Sequence, residues 1–330
     1  MSYLVFYFVL IILNLSILVL IPKLSSKFNL YDFPNQRKLH QKPISYLGGL
    51  FFLLSHFFYL CFYKNFFFEG HFLMLNLSNI FSLLFVSTLV LFIGLLDDKV
   101  DLTPLKKSVI LLVFISSSVL IDNQVLITNL KFELIEKTLN LKNFSIFFSI
   151  LCIYIFINAS NMYDGADLQL GIYFLIIFLY LYFKTNYFHI LTPILIPLIF
   201  FLYANYKKIS FLGNNGAHFL SYIVAVLIIK YYNLQLLNSV EEILIIMLIP
   251  GLDLIRLFFL RILNNKKFFE PDLNHIHHIL MRHNNHKTAQ LILIFITISP
   301  IVLGEISGSY FLGLLYGTVA YCYLVFKKYT

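Results

Sequence analysis

The chain has 330 residues, 60% of them hydrophobic and only 12% charged, with a formal net charge of +8. Soluble globular chains carry about 25% charged residues, so this one lacks the polar surface needed to coat one or two water-soluble domains. The positive excess does not require nucleic acid as a partner, because basic loops beside anionic lipid headgroups account for it.

Apolar runs approaching the roughly 20 residues of a spanning helix recur along the chain. In chain order they predict helices near 3–22, 46–63, 79–96, 106–121, 144–162, 169–183, 188–204, 217–232, 241–262, 288–304 and 308–326. No repeat, linker or low-complexity tract interrupts them. The expected fold is therefore an all-α integral membrane bundle of about eleven transmembrane helices, a single polytopic domain over 1–330. No Lys or Arg precedes the first run and no small-residue cleavage site follows it, which predicts a retained first helix. Cys61, Cys152 and Cys322 all lie in apolar runs without metal-ligand spacing and are expected to be buried, inert thiols.

With eleven spans, alternate loops place three-quarters of the 24 Lys and Arg on one side. The positive-inside rule makes that side cytoplasmic, with the N-terminus outside and the C-terminus inside. Eight of the nine aspartates fall on the same side, Asp122 being the exception. Acids contribute little to orientation, so this bias calls for another cause. Aspartate oxygens are favoured ligands of hard divalent cations.

The polar clusters follow in chain order. Arg37-Lys38-Leu39-His40 precedes Gly48-Gly49 in the first cytoplasmic loop. Its simplest reading is a basic membrane anchor, and the paired glycines imply tight helix packing or close approach to a ligand. Asp97-Asp98 ends the third run, with Asp101, Lys106 and Lys107 just beyond. Adjacent carboxylates at a membrane boundary repel each other unless a cation lies between them. That cation is either a metal with a substrate phosphate or the nearby lysines at a solvated helix end. Asn158 and Asn161 lie three residues apart on one helix face, and Asp164-Gly165-Ala166-Asp167 follows. A simple inter-helix turn does not need those amides. Gly213-Asn214-Asn215-Gly216 reads as a turn on its own. The last cluster, Pro271-Asp272-Leu273-Asn274-His275-Ile276-His277-His278, has no zinc-like partner spacing. Imidazoles near arginines suit phosphate oxygens.

Taken in order, these clusters resemble the polyprenyl-phosphate N-acetylhexosamine-1-phosphate transferases, the family of WecA and MraY, over about Arg37 to Gln290. The resemblance is carried by the basic loop with Gly48-Gly49, by Gly94-Leu95-Leu96-Asp97-Asp98 with Lys107, and by Asn158 to Asp167. Pro250, Asp253 and Arg256 continue it, followed by Pro271 to His278. The Pro-Asp before His-Ile-His-His is more similar to the WecA branch.

Such a resemblance implies transfer of N-acetylhexosamine 1-phosphate from a UDP-sugar such as UDP-N-acetylglucosamine to undecaprenyl or another polyprenyl phosphate. It implies Mg2+, with Mn2+ as an alternative, a bacterial inner-membrane location and a role in polysaccharide synthesis such as that of O-antigen. The implied partners are the two substrates and membrane lipid, with no nucleic acid and with a homodimer left open. By the same resemblance, Asp97, Asp98 and Lys107 are the catalytic set. Arg37, His40, Asn158, Asn161, Asp167, His275, His277 and His278 bind substrate, and Asp98, Asp164 and Asn214 hold the metal.

Three departures stand out. Asn214 replaces the family's metal-binding aspartate, Ala217 its serine, and Leu168 the glycine after Asp167. Weaker metal affinity follows from the first. A catalytically impaired lipid-carrier binder and a secondary transporter remain the alternatives, although a transporter places its site near mid-bilayer in repeated halves.

Overall fold

The computed structural model describes residues 3–34, 41–66, 77–265 and 274–326. Among the described residues it contains thirteen α-helices. They are α1 (Tyr3–Phe28), α2 (Gly49–Phe66), α3 (Leu77–Val100), α4 (Pro104–Ile121), α5 (Ser145–Tyr163), α6 (Gln169–Thr185) and α7 (Phe188–Tyr206). The series continues with α8 (Gly213–Asn233), α9 (Val240–Ile246), α10 (Leu248–Leu263), α11 (Ile276–His283), α12 (His286–Ser307) and α13 (Tyr310–Phe326). Two short antiparallel pairs complete it: β1 (Tyr31–Asp32) with β2 (Ile44–Ser45), and β3 (Asn129–Phe132) with β4 (Lys137–Asn140).

Among the described residues five helical segments are long and apolar enough to cross a membrane: α1, α4, α5 with its preceding turn, α7 and α12. Counting α9 and α10 as one broken span makes six, and α6, α13 and most of α2 are shorter apolar helices. Only helices and closed barrels satisfy every backbone group in lipid, and this chain uses helices. The predicted run at 241–262 is not one continuous helix, because it bends by 79° at Met247. Pro250, in the first turn of α10, has no N–H to donate back across that break, and an apolar run alone does not reveal it. The cysteine expectation also needs correction: Cys61 is exposed, and Cys152 and Cys322 are half-buried. Apolar sequence marks a lipid-compatible environment, which need not be the protein interior.

Contacts group the chain into two compact units. One comprises Met1–Asn123 and Phe178–Val224, the other Gln124–Ile177 and Ala225–Thr330. In the first unit, α1 packs on α2 and α7, α2 also on α7 and α3, and α3 on α4. Phe6, Leu10 and Tyr59 form a buried cluster there, and Asn14 Nδ2 donates to Ser55 Oγ across the α1–α2 contact at 3.0 Å. Such bonds join helices where lipid and side chain are equally apolar.

In the second unit, α12 packs along α13, and α10 along α5. A Cβ on Gly313 or Gly317 would collide with Pro300, so small residues set the α12–α13 spacing. Asn285 caps α12 by accepting from Thr288 N at 2.8 Å, and Gly308 closes the helix at φ +68.

Candidate active site

In the first unit the polar residues converge where α3 ends and α8 begins. Lys107 Nζ donates to Asp97 Oδ2 at 2.7 Å, and Leu102 N donates to Oδ1 at 3.1 Å. Asp97 thereby ties down the tight link between α3 and α4. Asp98 lies against the start of α8, where Oδ1 accepts from Asn214 N at 3.0 Å. Its Oδ2 accepts from Asn215 N at 3.2 Å and from Asn215 Nδ2 at 2.8 Å. First-turn N–H groups have no partner within their own helix and carry partial positive charge, so a carboxylate there is favoured. All three donors to Asp98 are nevertheless neutral amides.

Glycines make this approach feasible. A Cβ on Gly94 would lie 2.5 Å from the Asn214 backbone. Gly213 has φ +69, and a Cβ there would lie 2.8 Å from Asp98 Oδ2. Asn215 joins the parts: its Nδ2 also donates to Tyr46 O at 2.5 Å, and its Oδ1 accepts from Gly49 N at 3.0 Å. Gly48 N donates to Phe211 O at 3.0 Å. The glycine pair read from the sequence is thus a backbone seat for the α8 start.

The acid pair keeps acceptor atoms of the kind a hard divalent cation uses. Asp97 Oδ1 and Asp98 Oδ1 each accept a single hydrogen bond and keep a second acceptor site. Asn214, however, turns Nδ2 toward Asp97 Oδ2 at 2.9 Å. Its side chain must rotate to present Oδ1 to a metal. Among the described residues no group of three or more His, Cys, Asp or Glu side chains is gathered to hold a metal ion, so the acceptor atoms here are those of the Asp97–Asp98 pair with Asn214 beside them.

In the second unit the hub is Asp253, only 2% exposed. Its Oδ1 accepts from Arg256 Nη2 at 2.7 Å and from Tyr321 Oη at 2.8 Å, while Oδ2 lies 3.1 Å from His275 Nδ1. Ile276 N donates to Oδ1 at 3.2 Å, so Asp253 caps α11 much as Asp98 caps α8. His277 lies stacked on His275 with ring centroids 5.4 Å apart, and His278 is 4.2 Å from His277. His277 is 1% exposed, and neither ring nitrogen has a hydrogen-bond partner. Burial, followed by the neighbouring histidines, lowers its pKa to about 3, so the ring is neutral at pH 7. Gly165 packs directly on it, leaving no room for a side chain.

Asn158 and Asn161 lie in the last turns of α5, half-buried, and Asn158 Nδ2 donates to Tyr154 O at 2.8 Å. Asp164 is exposed at the α5 C-cap, with its N–H donating to Ser160 O at 3.1 Å. Asp167 is half-buried, and its carbonyl accepts from Gln290 Nε2. Leu168 has φ +65, a conformation natural to glycine, which gives the departure at that position a backbone meaning. Arg37 and His40 lie outside the described residues. Asn215 and Tyr321 each hold one of these two clusters together without belonging to the residues assigned to the site from sequence. The Asn214-Asn215 doublet was a signal for the first, whereas a tyrosine in the last apolar helix gives none.

Residues 80–232 match the family model described as "Glycosyl transferase family 4". The chain is 26% identical to the undecaprenyl-phosphate alpha-N-acetylglucosaminyl 1-phosphate transferase of Salmonella typhi, covering 86% of this chain and 77% of that protein. It is 24% identical to the enzyme of the same name from Escherichia coli K12, with the same coverage. A probable undecaprenyl-phosphate N-acetylglucosaminyl 1-phosphate transferase of Bacillus subtilis is 25% identical over 88% of this chain and 82% of its own length. The matched segment spans Asp97, Asp98, Lys107, the Asn158–Asp167 cluster and Asn214, and over that segment the chain is similar to glycosyl transferase family 4.

Proposed function

We propose that this protein transfers an N-acetylhexosamine 1-phosphate from a UDP-sugar to undecaprenyl or a related polyprenyl phosphate, releasing UMP and leaving a lipid-linked sugar pyrophosphate. The observation that carries the reading is the Asp97–Asp98 pair, held beside Lys107 at the start of α8 by neutral amide donors. A phosphate attacking a phosphate needs positive charge and fixed donors near the reacting oxygens.

In this reading a lipid-phosphate oxygen forms the new bond to the sugar-bearing phosphorus, and the bond to the UMP oxygen breaks. Lys107 draws the incoming lipid phosphate and orients Asp97. Asp98, with Asn214 rotated, would hold magnesium at the start of α8, and the family resemblance adds Asp164 as a further ligand. A bound magnesium ion would neutralise charge on the phosphate oxygens. Asn158, Asn161 and Asp167 take the nucleotide, while His275, His277 and His278 fix the pyrophosphate end. The finer topology belongs to the same proposal: about eleven crossings in the bacterial inner membrane, with these clusters on the cytoplasmic side. The product suits the opening membrane step of an envelope polysaccharide.

The test is UMP release from purified protein in detergent, given undecaprenyl phosphate, magnesium and a panel of UDP-N-acetyl sugars. Release that requires both lipid and magnesium supports the reading. No release with any donor, from folded protein, favours an impaired lipid-carrier binder.

A further inference from the structure

Tyr321 lies on α13, outside every motif read from the sequence and outside the matched 80–232 segment. It is 3% exposed. Its hydroxyl donates to Asp253 Oδ1 at 2.8 Å and accepts from Arg256 Nε at 2.9 Å. Arg256 Nη2 completes the triangle on Asp253 Oδ1 at 2.7 Å and also donates to Asn274 O, next to His275 in the chain. The opposite oxygen of Asp253 faces His275 Nδ1 at 3.1 Å. A carboxylate only accepts, so Nδ1 carries the proton and Nε2 is the ring atom left for a ligand. The geometry of Asp253 therefore sets the tautomer and angle of His275, and the rigid tyrosine ring sets the geometry of Asp253.

We propose that Tyr321 is a positioning residue that acts through Asp253 to orient His275 toward the donor's pyrophosphate. This rests on the phosphosugar-transferase reading above. The bond pattern requires the hydroxyl as such, because it serves as donor and acceptor at once. Phenylalanine keeps the ring packing and removes only that function.

Tyr321→Phe is expected to lower kcat/KM for the UDP-sugar about tenfold, the worth of one buried hydrogen bond. The KM for polyprenyl phosphate should stay unchanged. In a His275→Gln background the same substitution should cost less than about twofold, since coupled residues are non-additive. An equal loss in both backgrounds, or no loss in the wild-type background, overturns the proposal. A second measurement does not need turnover. In 15N-histidine-labelled protein, with the His275 signals identified by their loss in His275→Gln, the Nδ1–H tautomer should dominate in wild type and give way to a mixture in Tyr321→Phe. An unchanged spectrum also overturns it. If wild-type protein releases no UMP with any donor, the transferase reading fails while the tautomer measurement still decides the role of Tyr321.

Discussion

Two carboxylates in this molecule do the same local job and differ in what surrounds them. Asp98 caps the start of α8 and Asp253 caps the start of α11. Asp253 is saturated by Arg256, Tyr321, His275 and a backbone amide. Asp98 has neutral amides alone, beside Asp97 with its single lysine. A buried acid with an arginine and a full set of hydrogen-bond donors is a fixed structural part. An acid pair with one cation and spare acceptor sites is electrostatically incomplete, and that incompleteness suits binding of further positive charge.

The largest expected effect breaks this pairing. Asp253→Asn leaves the Arg256 charge uncompensated and should destabilise the protein by about 3–5 kcal/mol. Asp98→Asn removes bonds to neutral donors and should cost about 1–2 kcal/mol while abolishing turnover. Thermal melting in detergent, run beside UMP release, checks the ranking, and the reverse order would contradict it. Next in size is Gly94→Ala, whose new methyl meets α8 backbone that cannot swing aside. A loss of about 1–3 kcal/mol is expected, together with most of the activity. Gly165→Ala meets only the His277 ring and should melt closer to wild type.

Acid separates the two regions in another way. Because the folded His277 pKa lies near 3, the unfolded chain takes up a proton first as pH falls below about 6.5. The sign is therefore a loss of stability between about 6.5 and 3, up to about 1.4 kcal/mol per pH unit. His277→Gln should flatten that part of the melting-versus-pH curve, and an identical slope would rule out a buried neutral ring. The smallest shift sharpens the acid pair. Asn214→Asp puts a third carboxylate where Nδ2 now bonds Asp97, so its melting point should fall in chelator and recover with magnesium by more than wild type does. Equal melting with and without magnesium would remove this corner from any cation site.

Much of this was legible in the sequence. Every predicted apolar run contains a helix, because lipid-compatible segments must satisfy their own backbone. Asp97, Asp98, Lys107 and Asn214 were singled out, and they do meet. The bend at Met247, the short α11 and the β3–β4 hairpin were missed, since each depends on particular caps or turns rather than on hydropathy. Asn215 and Tyr321 were missed because their roles arise from residues 117 and 68 positions away, a separation that no local pattern encodes.

In the proposed reaction the phosphate travels with the sugar. A UDP-N-acetyl sugar labelled on the sugar-bearing phosphate distinguishes this from ordinary glycosyl transfer. After incubation with the protein, undecaprenyl phosphate and magnesium, the expected result is label in the lipid fraction and unlabelled UMP in water. Label remaining in water as UDP, with sugar in the lipid, would rule out transfer of the phosphate.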